Sequence, residues 1–174
     1  MTSDLYAVTV LGHDRPGIIA ATTAGLAGLG LNVEDSTMTL LRGHFSMMLL
    51  CRGEVAAADI EAALAPLAAD GSLDVAVRPV GDDPTATAPG SQWVLTVHGG
   101  DRPGIVSEVV GEVAAVGGNI TDLTTRLAGE LYLLVAEIDL PATADAQALE
   151  QAVREAAGRV GVTATLRPIE ADEL

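Results

Sequence analysis

Tyr6, Val8 and Val10 alternate with small or polar neighbours, and the same two-residue period returns at Trp93, Leu95 and Val97. Each run predicts a half-buried strand. A longer spacing follows both. Ile18, Thr22, Leu26 and Leu29 in the first half, and Ile105, Val109, Val113 and Val116 in the second, fall on one face of an α-helix. Gly30 and Gly117 come directly afterwards and predict helix C-caps. Two strands are expected next, roughly 32–41 with 44–52 and 119–127 with 130–140, joined by hairpin turns at Arg42-Gly43 and Ala128-Gly129. Along 119–127 the apolar parity changes after Ile120, which predicts a bulge near Asp122. A second helix is expected at about 56–70 and 142–158, with Ile60, Leu64 and Leu67 or Leu149 and Val153 facing inward. Pro66 should distort it or end it early in the first half. LDVAVRPV (73–80) and VTATLRPI (162–169) read as closing strands.

The order is βαββαβ, written twice. With right-handed crossovers it predicts an α+β protein of two tandem ferredoxin-like domains, each an antiparallel sheet with both helices on one face. The expected boundaries are 1–80 for the first domain, 81–90 (GDDPTATAPG) for a linker, and 91–174 for the second. The repeat is also literal. GHDRPGI at 12–18 returns as GGDRPGI at 99–105, an offset of 87 residues that also aligns Thr9 with Thr96, Gly30 with Gly117, Asn32 with Asn119, Asp35 with Asp122 and Thr37 with Thr124.

The heptad lies where a strand passes into a helix, and its chemistry follows from that place. Gly12 and Gly99 are expected to let the chain turn sharply off the strand. Pro16 and Pro103 suit a first helical turn, where an amide would be unpaired anyway. Gly17 and Gly104 would then sit inside that turn, at about 1 kcal/mol relative to alanine, as if something had to come close. Free amides and the positive end of the helix dipole there favour a carboxylate or phosphate. An amino-acid carboxylate is a natural occupant, with its ammonium group accepted by Asn32 and Asp35, or Asn119 and Asp122, if these lie nearby. The candidate ligand-binding set is thus Gly12, His13, Asp14, Arg15, Pro16, Gly17, Ile18, Asn32 and Asp35, with Gly99, Gly100, Asp101, Arg102, Pro103, Gly104, Ile105, Asn119 and Asp122 in the second copy. An architectural reading stands beside it: Asp14 and Asp101 cap the helix, Arg15 and Arg102 form surface ion pairs, and the glycines serve packing.

Composition narrows the possibilities. Of 174 residues 49% are hydrophobic but only 2% aromatic, so the cores must be aliphatic. Nine arginines face 24 acidic residues, for a net charge of −15, and there is no lysine. Such a chain is a poor direct ligand for nucleic acid or an anionic membrane, and it has neither a Schiff-base nor a Walker lysine. MTSDLYAV has no positively charged n-region, and no window reaches the ~18 apolar residues of a spanning helix, so a cytoplasmic protein is expected. Cys51, flanked by MMLLCRG, reads as a buried strand residue without an intrachain disulfide partner. His13-Asp14 and His44 invite a general-base reading, but Gly100 and Leu131 replace the two histidines in the second copy, and His98 aligns with Leu11 at a strand end. No metal spacing emerges, so no metal, no cofactor and no enzyme activity are expected.

The strand-G-x-DRPGI-helix junction, followed by Gly-Leu-Asn-Val-Glu-Asp-Ser at 30–36, resembles the ACT domain. Two such modules with nothing else look most like the glycine cleavage system transcriptional repressor family. The second copy departs from the motif at Glu34 and Ser36, reading Gly-Asn-Ile-Thr-Asp-Leu instead. The resemblance implies a βαββαβ module that senses small amino acids, with glycine or serine favoured. It implies action through a regulatory protein partner and as a homodimer, without a DNA-binding domain. In ACT proteins the ligand commonly sits where one domain's β1–α1 loop meets a neighbouring sheet. The alternatives are a ligand-free interaction module, for which FSMMLLC (45–51) offers apolar side chains on both faces, or a regulatory subunit of a metabolic enzyme.

Overall fold

The structure is a computed structural model that describes residues 4–81 and 90–169; most of the expected linker, residues 82–89, lies outside the described residues. In chain order the first half forms β1 (Asp4–His13), α1 (Ile18–Gly28), β2 (Asn32–Leu41), β3 (His44–Gly53), α2 (Ala57–Leu64), a 3₁₀ turn (Ala65–Ala68) and β4 (Leu73–Val80). The second half forms β5 (Ser91–Gly100), α3 (Ile105–Ala115), β6 (Asn119–Ala128), β7 (Leu131–Leu140), α4 (Ala146–Arg159) and β8 (Val162–Pro168). The sheets run β2-β3-β1-β4 and β6-β7-β5-β8, with every neighbouring pair antiparallel. This is the α+β ferredoxin-like arrangement, twice, in two compact units.

Each unit has its own core. In the first, Val8 and Val10 of β1 and Phe45, Met47, Leu49 and Cys51 of β3 share one sheet face and pack with Ile18 and Leu26 of α1 and Ile60 and Leu64 of α2. In the second, Leu95, Val97, Leu134, Ala136 and Ile138 meet Ile105, Val109, Val113, Leu149 and Val153. Thr22 is fully buried on the α1 face, and its hydroxyl donates to the Ile18 carbonyl at 2.8 Å, so it carries no unmet polar group. Gly25 allows α1 and α2 to approach closely: a Cβ there would meet Leu64 Cδ2 at 2.9 Å.

Helix ends follow the sequence closely. Leu31 N–H bonds to Leu26 O and Gly30 N–H to Ala27 O, as Gly118 does to Val113 O and Gly117 to Ala114 O, with φ of 75° at Gly30 and at Gly117. Both are Schellman closures. Pro66 ends α2 at Leu64 and opens the 3₁₀ turn, as its missing amide requires.

Three local expectations are corrected. The bulge occurs in both units, not one: the register slips between Val33 and Asp35 and between Ile120 and Asp122, leaving Glu34 and Thr121 as the extra residues. The second hairpin turn is Gly129-Glu130 rather than Ala128-Gly129, because Ala128 still pairs with Leu131. In place of a start at 142, α4 begins at Ala146, since the Asp145 carboxylate accepts from the amides of Gln147 and Ala148 and fixes the N-cap there. The FSMMLLC strand buries Phe45, Met47, Leu49 and Cys51 on the helix side and leaves Met48 exposed on the other. Burial pushes the Cys51 thiol pKa up, away from thiolate reactivity.

Candidate functional site

The two heptads adopt one conformation. In both units the helix begins at the isoleucine, and the glycine before it is the N-cap: Gly17 has φ 93°, ψ −2° and Gly104 has φ 91°, ψ −4°. With proline ahead of it, each glycine takes the dihedrals of the second central residue of a type II turn, a left-handed region that side chains disfavour. Pro16 and Gly17 are thus a turn before the helix, not its first turn. No atom lies within 4 Å of where a Gly17 Cβ would sit, so backbone conformation, not close approach, selects glycine there. Gly12 and Gly99 also have a different role from the expected sharp exit. They lie inside β1 and β5, where a Cβ on Gly12 would stand 2.1 Å from Ser72 O, and one on Gly99 2.7 Å from Val162 Cγ1. Their absent side chains admit the last strand of each sheet.

Neither aspartate caps the helix, because no side chain accepts from the first amides of α1 or α3; the Ser107 hydroxyl donates to Gly104 O at 3.0 Å. The first helical bond in α1 is Ala21 N–H to Gly17 O, and in α3 it is Glu108 N–H to Gly104 O. The amides of Ile18, Ile19 and Ala20, and of Ile105, Val106 and Ser107, therefore have no acceptor within their helix. Both groups border a cavity. The first, about 420 Å³, is lined by Asp14, Arg15, Gly17, Ile18, Ile19, Ala20, Met38 and Phe45. The second, about 480 Å³, is lined by Asp101, Arg102, Gly104, Ile105, Val106, Ser107, Val110 and Tyr132. Seven of these positions correspond between the units at the 87-residue offset, and the two hydroxyls of Ser107 and Tyr132 stand where the first unit has Ala20 and Phe45.

The arginines reach toward the segment before the last strand of each sheet. Arg15 donates to Leu67 O at 2.9 Å and lies 3.6 Å from Asp70, whose carboxyl is held below its usual pKa mainly by hydrogen bonds from Ser72, with Arg15 adding to the effect. Arg102 lies over Gly161, with its Cζ 3.4 Å from the position a Cβ would take. Arg15 thus fastens its loop to the segment entering the last strand, and Arg102 lies beside the equivalent segment.

Asn32, Asp35, Asn119 and Asp122 are not brought to the loop of their own unit. His13 at the loop pairs with His44, whereas Asp35 pairs with Leu50 and Asn32 with Arg52. Six strand residues separate His44 from Leu50 and eight separate it from Arg52, about 20 Å and about 26 Å along the sheet. In the second unit Gly100 pairs with Leu131, and Asp122 with Glu137, the same six-residue separation. The helix after β1 carries the chain back along the sheet, so β2 begins at the far end. Glu34 instead pairs there with Arg52 at 2.7 Å. His13 and His44, scattered in sequence, come together with ring centroids 5.3 Å apart. Strand register was the signal that could have found them, since one ends a strand and the other opens its partner.

The matches to known proteins follow the same division. The ACT domain model matches residues 5–78 and 91–166. The chain is similar to the glycine cleavage system transcriptional repressor of Escherichia coli (strain K12), 30% identical over 155 residues, covering 84% of this chain and 80% of that one. It is also similar to a UPF0237 protein of Methanosarcina mazei, 35% identical over 79 residues, covering 45% of this chain and 86% of that one. Among solved structures, an unknown protein from Galdieria sulphuraria superposes with a TM-score of 0.79 at 25% identity, covering 97% of this chain and 100% of that one. With two copies of the fold, each matched along nearly its whole length, the chain belongs to the ACT domain family.

Proposed function

We propose that this chain is a regulatory protein that binds a small amino acid at its two heptad loops and passes the occupancy to a protein partner, in control of glycine cleavage or one-carbon metabolism. The observation that carries the reading is the pairing of three unbonded helix amides with a cavity, at equivalent positions in both units. A carboxylate fits those amides and the dipole behind them. The carboxylate of Asp14 or Asp101, on the rim of the same cavity, is the acceptor for the ammonium group. The similarity to the Escherichia coli repressor supports the pathway, and a net charge of −15 supports contact with a protein rather than with nucleic acid. Glycine and serine are the favoured ligands, and a homodimer in the cytoplasm the favoured state.

Titration calorimetry with glycine, serine and the branched-chain amino acids tests this. Saturable heat with a small amino acid is expected, weakened in Asp14→Asn at the first cavity. Asn32→Ala adds a second answer: made about 26 Å from the loop of its own unit, the substitution should leave binding at the first cavity unchanged. Absence of binding to every amino acid tried would remove the sensor reading. A second reading, a ligand-free docking module or regulatory subunit, draws on the exposed apolar residues Met38, Leu40 and Leu41 of β2 and Met48 of β3. It becomes the better account if calorimetry is silent.

A further inference from the structure

His13 and His44 are the last pair of the β1–β3 ladder. Their rings lie 5.3 Å apart, centroid to centroid, with planes inclined by 33°. Side chains alternate along each strand, and Val10, Phe45 and Met47 point into the helix-side core. The histidines therefore share the opposite sheet face with exposed Leu11, away from the helix-side cavity at Ile18 and Phe45. We infer that this cross-strand pair is a binding site for a divalent late transition-metal ion, with Zn²⁺ as the representative.

The separation carries the argument. A metal about 2.1 Å from one nitrogen of each ring, at a tetrahedral N–metal–N angle, puts the two centroids about 5.2 Å apart; a right angle would bring them to about 4.5 Å. The observed centroid separation of 5.3 Å is that of the tetrahedral arrangement, once each ring turns a nitrogen toward the metal. Imidazole selects zinc, copper and nickel over the oxygen-seeking magnesium and calcium. Both backbones are already fixed: His13 N–H bonds to Ser72 O at 3.0 Å, and Asp14 N–H to Gly43 O at 3.0 Å, tying the segment after one histidine to the turn before the other. Little ordering is left for the metal to impose. Among the described residues no group of three or more histidines, cysteines or carboxylates converges, so water completes the coordination. The site belongs to the first unit alone, because Gly100 and Leu131 pair at the equivalent place.

The test is calorimetric titration of Zn²⁺ into the full chain, stripped with a chelator and held in excess Mg²⁺ to occupy carboxylates. A single saturable equivalent is expected, lost in His44→Leu, which installs the residue that the second unit carries there, and kept in His98→Gln. No saturable uptake, or uptake that survives in His44→Leu, overturns the site and leaves the pair a ring contact only. Should His44→Leu misfold by circular dichroism, paramagnetic Ni²⁺ added to the unmodified protein decides. Ring resonances of His13 and His44 should broaden before that of His98, and the reverse order refutes the assignment.

Discussion

Gly12 and Gly17 stand in one short loop and are glycines for unrelated reasons. At Gly17 the constraint is the left-handed backbone, and the space around it is open. Alanine there should cost about 1–2 kcal/mol, the penalty of an L-residue in that region. At Gly12 a Cβ would strike Ser72 O at 2.1 Å and Leu73 Cα at 2.9 Å, backbone atoms that cannot rotate aside. Gly12→Ala should therefore be the more damaging of the two. Urea unfolding of both variants checks the order, and equal losses would contradict it. The heptad's letters sufficed to place a bend and to single out these glycines, but not to say why each is needed, because neither φ nor the identity of the adjacent strand is written in a local motif. Asn32 and Asp35 carry a related lesson. Their identity in both copies was visible, and the βαββαβ order already implied that α1 returns the chain to the far end before β2 begins. Repetition alone does not give proximity; the direction of α1 does.

At the scale of elements, spacing was a reliable guide wherever one residue type has one strong effect. Pro66 stopped α2, Gly30 and Gly117 closed the helices before β2 and β6, and the alternation in β1 and β5 marked their buried faces. It was weaker where two signals compete. The apolar spacing that includes Leu149 and Val153 does not itself mark a start, and only the Asp145 cap fixes it. The bulge in β2 left no trace in Val33-Glu34-Asp35-Ser36 because every residue of that strand is exposed, so there was no buried parity to break. Helix composition also suggests an improvement. Gly111 lies in the interior of α3 with no atom within 4 Å of a Cβ, so Gly111→Ala should stabilise the protein by about 0.5–1 kcal/mol through helix propensity and the less entropic unfolded chain. A denaturation midpoint that falls instead would mean that the helix face at Gly111 is occupied by something other than solvent.

Over the whole molecule, repetition and charge act together. Two copies of one loop present two cavities of similar size, and the second is lined by Ser107 and Tyr132 where the first has Ala20 and Phe45, so the two differ in polarity. No helix among the described residues is long and apolar enough to cross a membrane. The excess of carboxylates repels polyanions while leaving a small zwitterion free to reach the helix amides. The amides at the start of α1 and α3 can be observed directly. In ¹H–¹⁵N correlation spectra of the full chain titrated with glycine and then serine, the largest shifts should fall on Ile18, Ile19 and Ala20 and on Ile105, Val106 and Ser107, saturating with ligand. Spectra that stay unchanged at those six amides, or that move only elsewhere, would contradict the account.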